Sequence, residues 1–105
     1  MAGRNNALPA ALEQLWVRFL PEMRARIEHV EAAVAAIENN ACTEDMRDAA
    51  HQAAHKLAGS LGMFGATRGS EIARALEAGF VEAGLSPDAA KLREWTAELR
   101  RIVGQ

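Results

Sequence analysis

Residues 43–66, TEDMRDAAHQAAHKLAGSLGMFGA, combine an amphipathic helix pattern with a cluster of glycines. Thr43 is a suitable N-cap, and the acidic residues Glu44 and Asp45 suit the positive end of the helix dipole. The apolar residues that repeat at helical spacing are Met46, Ala50, Ala53, Leu57, Leu61 and Phe64. The stretch therefore predicts a helix from Thr43 to about Phe64 whose second half is unusually rich in glycine.

On the N-terminal side, two further helices are expected. Pro9 suits the first turn of a short helix, where its missing N–H costs nothing. Pro21 is expected to end or kink this helix, because proline disfavours helical geometry at the preceding Leu20. A longer apolar stripe then runs from Met23 to Ile37 and ends at the pair Asn39–Asn40.

On the C-terminal side, the pattern predicts two more helices, the first over residues 66–84 with Gly84 as its stop. Residues 86–88, Ser-Pro-Asp, suit the N-cap, first-turn proline and first-turn acid of the second helix, which Gly104 follows. No segment alternates like a strand. We therefore expect residues 1–105 to form one all-α domain, an antiparallel up-and-down four-helix bundle with an additional short N-terminal helix.

Composition excludes several classes of function. Twelve basic against 14 acidic residues give a net charge of −2, which provides no overall field to attract nucleic acid or an anionic membrane. Cys42 is the single cysteine, so an internal disulfide and a CxxC site are excluded. The longest apolar run, Ala32 to Ile37, is far too short to span a bilayer, and no signal-peptide core follows the N-terminus. The expected location is the cytoplasm.

The helical wheel places one histidine on the outer face of the glycine-rich helix. His55 lies opposite the apolar stripe, Gly59 follows on the same face, and Gly62 is a turn further on. A glycine in a helix interior costs about 1 kcal/mol relative to alanine, so the helix itself gains nothing. We expect this face to admit another macromolecule closely, while Gly65 and Gly69 belong to the turn into the next helix.

The chemistry available at this face is that of an imidazole. A neutral histidine can act as a nucleophile or bind a metal, and the sequence shows no nearby carboxylate that would complete a triad with His55. His51 and His55 have the spacing of a two-histidine metal site, but Gln52 occupies the position of the catalytic glutamate and no third ligand is evident. Metal binding through His51 and His55 is a remote alternative, and we expect no metal site.

The run from Ala54 to Ala66, extended to Leu76-Glu77, resembles histidine-containing phosphotransfer (HPt) domains over nearly the whole chain. The matching positions are His55, Leu57, Gly59, Ser60, Phe64, Gly65, Ala66, Leu76 and Glu77. The resemblance implies a four-helix bundle whose surface histidine accepts a phosphoryl group from the aspartate of one receiver domain and passes it to another. It makes His55 the phosphorylated residue and Gly59 the clearance for docking, to which the helical wheel adds Gly62.

The resemblance also implies partners. These are response-regulator receiver domains and a sensor or hybrid histidine kinase, with Mg²⁺ held by the receiver and no cofactor of the chain's own. The chain would be a monomeric phosphocarrier that does not turn over alone. Candidate contacts to the phosphoryl oxygens are Gln52 and Lys56. Candidate partner-surface residues are His51, Leu12 and Ala58.

Two positions depart from the family pattern. Ala58 stands where the family has a basic residue three positions after the histidine, and Gly69 replaces a usual leucine. The missing cation at Ala58 supports an alternative of another class, a helical adaptor that binds a receiver or kinase without being phosphorylated.

Overall fold

The structure, a computed structural model, describes residues 9–81 and 88–104. These residues form four helices and no strand: α1 (Ala10–Glu38), α2 (Glu44–Met63), α3 (Thr67–Val81) and α4 (Ala89–Val103). In the described part of the chain, no helix combines the length and the apolarity that crossing a membrane requires. The all-helical prediction is confirmed.

Each helix packs against two neighbours in an antiparallel arrangement. α1 and α3 both contact α2 and α4, so the four helices enclose one core. The contacts that join opposite ends of neighbouring helices are Trp16 to Phe64, Ser70 to Ala58, Arg68 to Glu98 and Glu38 to Arg93. The described helices therefore form the up-and-down bundle that the short connections predict.

One continuous helix replaces the two expected on the N-terminal side, so the prediction of an additional short N-terminal helix is wrong. Pro21 lies inside α1, and Leu20 stays helical. Proline cannot bond the carbonyl of Val17, but Val17 and Pro21 both lie on the exposed side, where water can satisfy it. On the opposite face, Trp16 and Met23 are both buried, so the same core holds the helix on both sides of the proline.

α2 begins and ends where the sequence predicts. The Thr43 hydroxyl accepts a hydrogen bond from the Met46 N–H at 3.1 Å and thereby caps the first turn. At the other end, Gly65 has a φ of +76°, a left-handed conformation that residues with a Cβ rarely adopt. This turn reverses the chain, and α3 starts two residues later at Thr67.

α4 has a different start from the one expected. Asp88 is its N-cap and accepts a hydrogen bond from the Lys91 N–H at 3.2 Å, so it is not a first-turn residue. The expected N-cap Ser86, the proline that follows it and the expected stop Gly84 lie outside the described residues. Gly104 ends α4 with a φ of +91°, as a C-terminal glycine commonly does.

Gly69 is a packing residue, which corrects its assignment to the turn. It is buried inside α3, and a Cβ at this position would lie 3.1 Å from Leu61 Cδ1 and 3.3 Å from Ile102 Cγ2. The missing side chain therefore lets α3 approach α2 and α4 closely. The largest fully buried side chains around this junction and along the core are Phe64, Phe80, Met23, Ile27, Leu57, Leu61, Ile72, Leu76, Leu99 and Val30.

Candidate functional site

His55 projects from the outer face of α2, as the helical wheel predicts. Its side chain is 66% exposed, whereas the adjacent Ala54 and the nearby Leu57 are fully buried. These two apolar residues fix the rotation of α2, because turning the helix to bury His55 would bring them into water. The direction of the imidazole is thus set by the core packing of the whole helix.

A carboxylate from α3 lies against the inner nitrogen of this imidazole. Glu77 Oε2 is 2.9 Å from His55 Nδ1, across 22 residues of sequence. An ionised carboxylate can only accept hydrogen bonds, so Nδ1 carries the hydrogen and Nε2 has a free lone pair. This contact corrects the expectation that no carboxylate lies near His55, and it gives the imidazole one defined tautomer.

A second histidine contacts the same carboxylate. His51 Nε2 lies 3.6 Å from Glu77 Oε2, and both side chains are partly exposed, at 29% and 26%. The oxygen that orients His55 therefore also faces the imidazole one turn earlier on α2. In the described parts of the chain, no group of three histidine, cysteine, aspartate or glutamate residues has the arrangement to hold a metal ion.

The two glycines expected to give clearance have different surroundings. A Cβ added to Gly59 would meet no atom within 4 Å, so the surface beside His55 is open there. A Cβ on Gly62 would lie 3.4 Å from the Ser70 hydroxyl of α3, in ordinary contact. Both glycines are exposed, but the open space is at Gly59 and the edge of the α2–α3 contact is at Gly62.

Ala58 cannot belong to a partner surface, which corrects that expectation. It is only 5% exposed, and its carbonyl accepts a hydrogen bond from the Ser70 hydroxyl at 2.8 Å. Within the turn that follows His55, α3 therefore covers Ala58. Leu12, the other apolar candidate, is half-buried and packs against the core near the start of α1.

The remaining candidates lie on the outer side of α2. Gln52 and Lys56 are both exposed. On the α1 side, Arg26 donates to the Ser60 hydroxyl at 3.4 Å and pairs with Glu22 at 2.6 Å, so its charge is engaged within α1. Ser60 lies one turn after Lys56 on the same side of α2, so Lys56 is exposed on the α1 side of His55.

A shallow groove runs between α2 and α3 beside His55. We call it the α2–α3 groove; its lining residues are His51, Arg74, Glu77, Ala78 and Val81. Sequence reasoning missed the contributions of Glu77 and Arg74 because they come from another helix. The pattern that could have found them is their spacing from Ser70, since residues 70, 74, 77 and 81 lie on one side of α3.

The ion pairs that shift pKa values lie away from this groove. A hydrogen bond from Arg68 lowers the pKa of Glu98, and one from Arg93 lowers the pKa of Glu38. The first pair joins α3 to α4 and the second joins α1 to α4. These charges are satisfied within the bundle.

Comparisons with known proteins agree with the geometry. The family whose sequence model matches the chain is the Hpt domain, over residues 14–105. Protein RcaC of Microchaete diplosiphon is 37% identical over 68 residues, which cover 65% of this chain and 10% of that protein. The chain thus spans about a tenth of the length of this relative. No solved structure matches the chain significantly.

Proposed function

Because the chain belongs to the Hpt domain family, whose members act in histidine phosphotransfer in phosphorelays, we propose that His55 is its phosphorylated residue. It accepts a phosphoryl group from the aspartyl phosphate of one receiver domain and passes the group to the aspartate of another. The observation that supports this most strongly is the 2.9 Å contact between Glu77 Oε2 and His55 Nδ1. The contact leaves Nε2 as the nucleophile on a side chain that is 66% exposed.

The transfer step follows from this arrangement. The Nε2 lone pair of His55 forms the bond to phosphorus, and the bond between phosphorus and the aspartyl oxygen breaks. The electron pair of that bond leaves with the aspartate carboxylate. Nδ1 keeps its hydrogen, so the ring becomes positively charged, and the carboxylate of Glu77 stabilises that charge. Transfer to the second receiver is the reverse of this step.

The receiver domain supplies the metal ion for the transfer step. The Mg²⁺ expected to stabilise the phosphoryl oxygens is held by the receiver domain. Gly59 lets the receiver approach His55, because no atom lies within 4 Å of the position its Cβ would take. A sensor or hybrid histidine kinase supplies the phosphoryl groups upstream, and the chain acts as a carrier that does not turn over alone.

Phosphoryl transfer from a receiver domain tests this proposal. The protein is incubated with a receiver domain carrying ³²P-labelled aspartyl phosphate, and label on the protein is followed over time. Label is expected on the wild type and on His51→Gln but not on His55→Gln. His51→Gln is the matched control, since it removes an imidazole that contacts the same carboxylate one turn away.

Two results would contradict the proposal. Label that persists in His55→Gln would place the nucleophile elsewhere. A stable complex with the receiver that never yields labelled wild-type protein would instead favour an adaptor that binds without being phosphorylated.

A further inference from the structure

Two contacts between α2 and α3 fix the height at which each α3 residue lies along α2. The Ser70 hydroxyl donates to the Ala58 carbonyl at 2.8 Å, and Glu77 Oε2 lies 2.9 Å from His55 Nδ1. Arg74 lies between Ser70 and Glu77, about 6 Å along the axis from the first and about 4.5 Å from the second at the ordinary helical rise. Because α2 and α3 are antiparallel, the Arg74 backbone is level with the turn from His55 to Ala58.

The Arg74 side chain is directed toward the α2–α3 groove. It is exposed and lines the α2–α3 groove together with His51 and Glu77. Among residues 9–81 and 88–104, no hydrogen bond or ion pair engages its guanidinium. In the same described ranges, several other arginines are paired with acidic residues: Arg26, Arg68, Arg93 and Arg100.

In the turn that follows His55, α2 has no cation on the α3 side. The turn after His55 carries Ala58, which is 5% exposed beneath α3. Lys56 is exposed but lies about 100° around the helix from His55, toward α1. A phosphoryl group on Nε2 would thus have Lys56 on one side and the guanidinium of Arg74 on the other.

We propose that Arg74 binds the phosphoryl oxygens on His55 Nε2 and so supplies from α3 the positive charge that α2 lacks at Ala58. This inference rests on the proposed function, because it concerns the group that His55 carries. A guanidinium presents several N–H donors in one plane and suits phosphate oxygens better than the single ammonium of a lysine. Two residues of α3 would then act at the two ring nitrogens: Glu77 contacts Nδ1, and Arg74 binds the phosphoryl group on Nε2.

Transfer rates from a labelled receiver domain test the role of Arg74. Arg74→Gln is expected to accept label about tenfold more slowly than the wild type, since one charged donor to the transferring group is lost at an exposed site. Arg74→Lys is expected to recover part of that loss. Arg101→Gln is the matched control, because it removes an exposed arginine of α4 that does not line the α2–α3 groove, and its rate is expected to stay within about twofold of the wild type. Lys56→Gln is measured beside them, because Lys56 directly follows His55 on α2.

A second measurement separates contact with the phosphoryl group from an effect on receiver docking. The ³¹P resonance of the isolated phosphorylated protein is followed as a function of pH. A neighbouring guanidinium favours the doubly ionised phosphoryl group, so the titration of Arg74→Gln is expected to move to higher pH than that of the wild type. Arg101→Gln is expected to titrate like the wild type.

These measurements distinguish a failure of the proposed function from a failure of the role of Arg74. Wild type that takes no label contradicts the proposed function, and the role of Arg74 with it. Wild type that takes label normally, with Arg74→Gln equal to it in rate and in ³¹P titration, overturns only the role of Arg74. A slow Lys56→Gln beside an unaffected Arg74→Gln also overturns it, because the cation would then come from α2.

Discussion

Two regions of this bundle each depend on a glycine, and they use the missing side chain in opposite ways. On the outer face of α2, a Cβ at Gly59 would meet nothing within 4 Å. At the junction of α2, α3 and α4, a Cβ at Gly69 would lie 3.1 Å from Leu61 Cδ1 and 3.3 Å from Ile102 Cγ2. Gly59 leaves a surface open beside His55, whereas Gly69 lets three helices close on one another.

The two regions also differ in their charges. Near Gly69, Arg68 of α3 is hydrogen-bonded to Glu98 of α4 at 3.0 Å, so its charge is satisfied within the chain. Near Gly59, the exposed Lys56 and Arg74 have no hydrogen bond or ion pair within the described residues. On a surface that stabilises the fold, charged side chains pair with one another. On a surface that binds a partner, charged side chains stay unpaired and can contact that partner.

The largest expected effect comes from filling the open space at Gly59. Gly59→Gln should lower the rate of label transfer from a receiver domain about a hundredfold, because the new side chain displaces the partner from His55. The melting temperature should not fall, since glutamine is a better helix former than glycine and meets no neighbour. Ala90→Gln, on the exposed face of α4, is the matched control and should transfer normally.

Loss of folding in Gly59→Gln would show that the position is enclosed and would remove the contrast between the two glycines. Normal transfer in a folded Gly59→Gln would show that the receiver does not approach this face.

A side chain added at Gly69 should lower the free energy of unfolding. Gly69→Leu places a large side chain against Leu61 and Ile102, and overpacking of this kind costs about 1–3 kcal/mol. Urea denaturation should therefore show a lower midpoint with an unchanged slope. Label transfer at a temperature where the variant is folded should remain near the wild-type rate. A stability equal to that of the wild type would contradict the close packing assigned to Gly69.

A smaller effect is expected from removing the Glu77 carboxylate, which contacts His55 Nδ1. Glu77→Ala should slow transfer about tenfold, because His55 loses the acceptor that fixes its tautomer. Glu77→Gln keeps an oxygen that can accept from Nδ1–H and should recover most of the rate. Equal rates for the wild type and Glu77→Ala would mean that the contact does not orient the imidazole.

The smallest effect is expected at the paired charges of α3 and α4. A hydrogen bond from Arg68 lowers the pKa of Glu98 below its ordinary value of 4.5. Since the folded state holds the carboxylate ionised, this pair stabilises the fold above that pH, and its contribution is lost as the pH falls through the lowered pKa. Arg68→Gln should thus be slightly less stable at neutral pH and equal to the wild type in acid. A stability gap that persists after the carboxylates are protonated would contradict this assignment.

Much of the bundle could be predicted because apolar spacing and caps are local features of the sequence. The core stripe of α2 and the outward direction of His55 follow from the helical period, and the Thr43 cap follows from the preference of threonine for the N-cap position. The prediction that Pro21 ends or kinks the first helix was wrong. The local preference of proline is outweighed by the burial of Trp16 and Met23, which lie on either side of it in one core.

The contacts of the site were harder to predict because they join residues from different helices. Spacing along α2 gives the directions of His55 and Gly59, but it does not show which residue of α3 lies opposite them. Glu77 reaches His55 only once the turn at Gly65 has set the register of α3 against α2. For the same reason, the wheel of α2 gave the outward direction of Gly59 but could not show that Gly69 is enclosed by side chains of α2 and α4.

The most direct measurement is a proton–nitrogen correlation spectrum of the imidazoles, recorded on ¹⁵N-labelled protein after phosphorylation by a receiver domain. The orientation set by Glu77 predicts one phosphohistidine, His55, with phosphorus on Nε2 and hydrogen retained on Nδ1. Phosphorus on Nδ1 of His55, or on His51, would contradict the assignment of His55 Nε2 as the nucleophile.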